Sequence, residues 1–142
     1  MRALPLSIAS FLCAAVASST ALASPQIGAG YTGKPTASFP SGATCNDCHS
    51  SGTAPSITLT GPATLAAGAK GDYTAMVSGG GNVKTFAAAA TNGIAMTAGS
   101  NMGTVFDEVY SNNVNGGTVS FSFSITAPAS SGNIELWYVG LA

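Results

Sequence analysis

Thr118-Val119-Ser120-Phe121-Ser122-Phe123-Ser124-Ile125-Thr126 alternates apolar and hydroxylic side chains without a break. Successive side chains on a strand point to opposite faces, so Val119, Phe121, Phe123 and Ile125 share one face. Ser120, Ser122, Ser124 and Thr126 line the other. Such a segment is half buried in an antiparallel sheet. Downstream, Pro128, Ser131 and Gly132 break the run, and Ile134, Leu136 and Tyr138 then alternate with Glu135, Trp137 and Val139. Upstream, Ile57 and Leu59 alternate with Ser56, Thr58 and Thr60 until Gly61-Pro62. Tyr73, Ala75 and Val77 alternate with Thr74, Met76 and Ser78, and Gly79-Gly80-Gly81-Asn82 makes a turn. Val83 to Thr91 holds Phe86 and four alanines; Asn92-Gly93 after it favours a strand and turn over a helix. Ile94 to Thr97 and Val105 to Tyr110 read as shorter strands.

About seven short strands with turns between them predict an all-β fold, an immunoglobulin-like β-sandwich over residues 55–142. The expected core is Ile57, Leu59, Tyr73, Val77, Phe86, Val119, Phe121, Phe123, Ile125, Leu136 and Tyr138. Residues 24–54 show no helical period and carry Gly28, Gly30, Gly33, Pro35, Pro40, Gly42 and Gly52. They read as an irregular Gly/Pro-rich arm whose turns are set by those residues.

The chain has 142 residues, is 46% hydrophobic and only 6% charged, and has a formal net charge of -1. Four bases cannot build an electropositive stripe, which argues against nucleic-acid binding. Met1-Arg2, an apolar run from Leu4 to Val16 and the small-x-small Ala21-Leu22-Ala23 together make a secretory signal peptide over residues 1–23. Cys13 falls inside it, and the bulky Phe11-Leu12 before it is wrong for lipoprotein processing. Its apolar core is too short to span a bilayer. The processed chain is expected to carry no membrane span and to work in the periplasm or outside the cell.

Two cysteines remain, within Cys45-Asn46-Asp47-Cys48-His49. Cys-x-x-Cys-His is the attachment signature of a c-type haem. Two thiols three residues apart each form a thioether to a vinyl group of one porphyrin, and the next residue reaches the iron as proximal ligand. The expected site is therefore Cys45 and Cys48 holding one haem c, with His49 on its iron. Three other readings are weaker. A disulfide across so short a loop adds little stability. Structural zinc wants four ligands, and only three Cys or His residues are at hand. A thioredoxin-like pair wants a strand before it, where this chain has Pro40-Ser41-Gly42-Ala43-Thr44.

Gly30-Tyr31-Thr32-Gly33-Lys34-Pro35, the Cys45–Ser50 motif, Phe121-Ser122-Phe123 and Thr126-Ala127-Pro128-Ala129 together resemble the choice-of-anchor V, Reeler-like domains of exported bacterial proteins. The resemblance covers most of the chain after residue 23. It implies an exported, haem-bearing immunoglobulin-like sandwich. Relatives carry a His in the segment matching Val109 to Val114; here that segment has none, so no sixth iron ligand is carried over from them.

His49 is the sole histidine, which excludes a bis-His iron within one chain and any hydrolytic triad. Met76, Met96 and Met102 are the candidates for the sixth position, with Met102 favoured because Gly99 and Gly103 leave its backbone room. Gap-filling is the commoner fate of methionine. Trp137 and Tyr31 are candidates to stack on the porphyrin, although packing is the commoner role. Asp107-Glu108 reads as a solvated edge, and calcium lacks a carboxylate cluster. The leading functional expectation is a monohaem electron carrier that meets a redox protein partner. The alternative is a non-enzymatic surface module with haem as staple or sensor, able to self-associate through uncharged edges. A peroxidase lacks a distal histidine.

Overall fold

Val83 to Ala90 is the strand around which the second half of the molecule is organised. It is buried almost throughout. The computed structural model describes residues 30–38, 40–44, 54–105 and 107–142. Among these there is no helix, and no helix long and apolar enough to cross a membrane. The strands are β1 (Ser56–Thr60), β2 (Lys70–Ser78), β3 (Val83–Ala90), β4 (Ala95–Ala98), β5 (Met102–Val105), β6 (Glu108–Ser111), β7 (Val114–Asn115), β8 (Thr118–Thr126) and β9 (Leu136–Leu141). All pairings are antiparallel.

One sheet has the order β1-β2-β8-β4. In the other, β3 pairs with β9 on one side and with β6 and then β7 on the other, and β5 lies beyond β6. The pairing of β3 slips by one residue between β6 and β7. At that break the Phe86 N–H donates to the Ser111 hydroxyl at 2.7 Å, so a side chain replaces the missing ladder carbonyl.

The two sheets share one apolar core. Ala75, Val77, Val119, Phe121, Phe123, Ile125 and Met96 come from the first, and Phe86, Ala88, Ala90 and Val109 from the second. Phe86 lies 6.0 Å from both Phe121 and Phe123, centroid to centroid. Tyr73 stacks on Phe123 at 5.5 Å and donates its hydroxyl to the Pro62 carbonyl. The outer face of the first sheet is hydroxylic, as the alternation of β8 predicts.

Several expectations need correction. Val105 to Tyr110 is not one strand: β5 ends at Val105 and β6 starts at Glu108. Four-residue strands are too short for a period-two signal to mark their ends. Tyr138 points to the core side but is 42% exposed, because β9 is an edge strand. Ile57, Leu59, Tyr73 and Leu136 are only partly buried around the core. Ile94 lies just outside β4. Lys84 was no core candidate, yet it is fully buried; its ammonium donates to the Gly81 carbonyl at the end of the preceding turn. The 1–23 segment lies outside the described residues.

Phe121→Ala removes the ring that joins the sheets and is expected to cost about 3–5 kcal/mol. Chemical denaturation followed by far-UV circular dichroism checks it. Met76→Ala on the exposed outer face should change stability by less than about 0.5 kcal/mol.

Candidate functional site

The arm is tied down by two adjacent acids. The Gly30 N–H donates to Glu108 Oε2 at 2.7 Å, and the Thr32 hydroxyl lies 3.3 Å from Glu108 Oε1. Lys34 Nζ meets Asp107 Oδ2 at 2.6 Å. Farther along, the arm folds back on itself, with the Gly33 N–H donating to the Ala43 carbonyl at 2.8 Å. Gly42 makes that approach possible: its φ is +76°, and a Cβ there would strike the Gly33 carbonyl. Thr32, Lys34 and Ala43 are all buried.

Glu108 is therefore no solvated edge. It is 5% exposed, and a buried carboxylate is tolerated because donors from the arm satisfy it. Asp107, beside it, is the more exposed partner of its pair. The Lys34 hydrogen bond holds the Asp107 carboxyl below its ordinary value of 3.8. Both acids face the arm: Asp107 lies just before β6, and Glu108 opens it.

Residue parity locates the arm on the sandwich. Glu108 opposes Ala89, and Ala89 opposes Trp137. Directly paired residues share a face, so Glu108, Ala89 and Trp137 lie together on the outer face of the second sheet. Ala87, Tyr110, Val139, Leu141 and Val105 share that face. It is apolar where the outer face of the first sheet is hydroxylic. Ala87 and Ala89 are buried there, on the side away from the Phe86 core. β3 is thus buried on both faces and not on the Phe86 side alone. The signal was present: Phe86 to Ala90 lacks any polar alternation, which marks a strand covered on both faces. Thr85, on the same outer face, is buried with its hydroxyl unpartnered.

Cys45, Cys48 and His49 lie outside the described residues. Thr44 and Ala54 bracket them in the chain. The methionines are all described. Met102 is partly buried and packs against the core, and it opposes Ser111 on the face turned away from Glu108. The room left by Gly99 and Gly103 is filled. A Cβ on Gly99 would meet Ser122, and one on Gly103 would touch the Tyr110 ring. Met96 is core, and Met76 is exposed on the far sheet. None of the three shares the face that Glu108 occupies. Trp137 does share it, on the face turned away from the core. Among the described residues no three His, Cys, Asp or Glu side chains gather as a metal site.

Comparison with known proteins returns no matching family model, no matching curated sequence and no matching solved structure.

Glu108→Ala removes the acceptor for Gly30 and is expected to cost about 2 kcal/mol of local protection, near the value for a hydrogen bond to a charged group. Amide exchange at Gly30 should quicken roughly thirtyfold, with the core amides of β8 unchanged. The Asp107–Lys34 pair adds stability that is present above the ordinary carboxylate value and lost as pH falls through the lower, folded one. Its contribution is under about 1 kcal/mol because Asp107 is exposed. Exchange at residues 30–34 should thus hold steady from neutral pH down to about 4 and, corrected for intrinsic rates, rise below 3.8. In Asp107→Asn the part of that rise owed to this pair is lost.

Proposed function

We propose that this chain is an exported monohaem c-type cytochrome that transfers single electrons outside the cytoplasm. Cys45 and Cys48 form the thioethers and His49 is the proximal iron ligand. The observation that carries the reading is the Cys45–His49 spacing, in a chain that opens with a signal-peptide pattern. When bound, the haem supplies a one-electron iron couple. The chain's own residues anchor the arm: Glu108 and Asp107 fix residues 30–34, and the Gly33–Ala43 bond fixes the stretch ending one residue before Thr44.

The donor set fits haem better than zinc: two thiols and one imidazole serve a porphyrin-bound iron but leave a zinc site one ligand short. Val139 and Trp137, half-buried on the outer face beside the anchored arm, also suit a porphyrin, which needs apolar surface to cover it. The sandwich is proposed to be an immunoglobulin-like variant, with β1, β2, β8 and β4 as one sheet. The resemblance to choice-of-anchor V domains supports the same assignment. The chain acts as a carrier, not an enzyme: with His49 on iron, no histidine is left for acid–base work.

A second reading, a surface or assembly module with haem as staple or sensor, is favoured by the largely hydroxylic outer face of the first sheet, where Lys70 and Asp72 are the charged residues of β2. The two readings separate at the iron.

Purified from an exporting, haem-maturing host, the protein should give one haem per chain in a pyridine haemochrome assay. Cys45→Ala should lower the yield of covalently bound haem severalfold. Colourless protein from that host overturns the proposal. Rapid one-electron exchange with a redox-protein partner, followed by stopped-flow absorbance of the haem, supports electron transfer, and a haem that binds carbon monoxide but exchanges no electrons with such a partner supports the sensor. Met102→Ala is expected to leave the haem spectrum unchanged, because Met102 packs against the core on the face turned away from Glu108.

A further inference from the structure

The four sheet edges are not equivalent. β1 is five residues long and is flanked by Pro55 and by Gly61-Pro62; β4 and β5 have four residues each. Short strands and flanking prolines blunt an edge against further pairing. The β9 edge has no such device. Leu136-Trp137-Tyr138-Val139-Gly140-Leu141 carries no charge and no proline, and it pairs with β3 in unbroken register. Among the described residues its partner is β3 alone, on one side. Tyr138 stands exposed there.

We propose that β9 is a homotypic interface: β9 of a second copy adds antiparallel to it across a two-fold axis, joining the two second sheets into one. A second copy is the occupant that suits this edge. An uncharged edge gives a charged strand nothing to pair with, and a net charge of -1, or -2 once Arg2 is removed with residues 1–23, opposes self-approach little.

Symmetry then fixes the register. A two-fold axis perpendicular to the sheet carries the outer face of one copy onto the outer face of the other. Each residue must therefore oppose one from its own face, which admits only registers centred on a residue. Centring on Tyr138 would set Glu135 against Leu141. Centring on Val139 keeps Glu135 out and sets Val139 against itself, Tyr138 against Gly140 and Trp137 against Leu141. The inner face of Gly140 is covered within its own copy by Ile57, 3.0 Å from where a Cβ would stand. The joined sheet places both arms on one face. The two β6 strands that anchor them lie five strand spacings apart, about 24 Å. The interface does not depend on haem.

Sedimentation velocity over a concentration series of the processed chain tests it. The wild type is expected to shift from monomer to dimer with rising concentration. Val139→Lys and Val139→Glu each place two like charges face to face at the axis, so each alone should be monomeric. An equimolar mixture should recover the dimer, which also shows that both variants fold. Thr58→Lys, on the outer face of the other sheet, should dimerise like the wild type. A wild type that is monomeric throughout overturns the interface, as does a Val139→Lys protein that dimerises normally. If a Val139 variant fails to fold by circular dichroism, Tyr138→Glu and Tyr138→Lys replace the pair. These set like charges beside the axis, and each alone should be monomeric; dimerisation by either overturns the interface.

Discussion

Phe86 of β3 lies against Phe121 and Phe123 of β8, and the rest of the molecule follows from that contact. It holds two sheets face to face and decides which side of every strand is interior. Once Phe86 faces inward, Ala87 and Ala89 must face outward, since side chains alternate along a strand. Through the pairing of β3 with β6 and β9, the same choice turns Glu108 and Trp137 outward with them. The apolar outer face of the second sheet is thus a consequence of the aromatic core.

That outer face is where the arm is fastened. An irregular segment rich in glycine and proline has little periodic structure of its own, and ordering it costs backbone entropy at every residue. Glu108 offsets part of that cost, because its buried carboxylate accepts from the Gly30 amide and the Thr32 hydroxyl. The need is mutual: without the arm, a carboxylate on an apolar sheet face would be left without donors. Buried Lys34 and the more exposed Asp107 add an ion pair at the margin of the same contact. The arrangement gives the chain a fixed point shortly before Cys45, which is consistent with the proposed covalent attachment there.

The exterior of the sandwich is correspondingly unequal. On the first sheet, serines and threonines face solvent and need no cover. On the second, alanine, valine and tryptophan face the arm's side, and β9 brings an uncharged strand to the sheet edge. Low charge across the chain makes both arrangements compatible with close approach to other surfaces.

Much of this was set by the sequence alone. The unbroken alternation from Val119 to Ile125 settled the all-β class and placed Phe121 and Phe123 inside. The five residues from Cys45 to His49 define their chemical proposal by spacing. The same reading missed the burial of Glu108 and Lys84 and the packing of Met102 against the core, and it merged β5 with β6. Periodicity reports how one strand divides between its own two faces; it carries nothing about what lies above either face. Glu108 is buried by a residue 78 positions away, and Met102 is turned inward by its register with Ser111. Only the packed tertiary structure brings those partners together, because burial is a property of the pair and not of either segment.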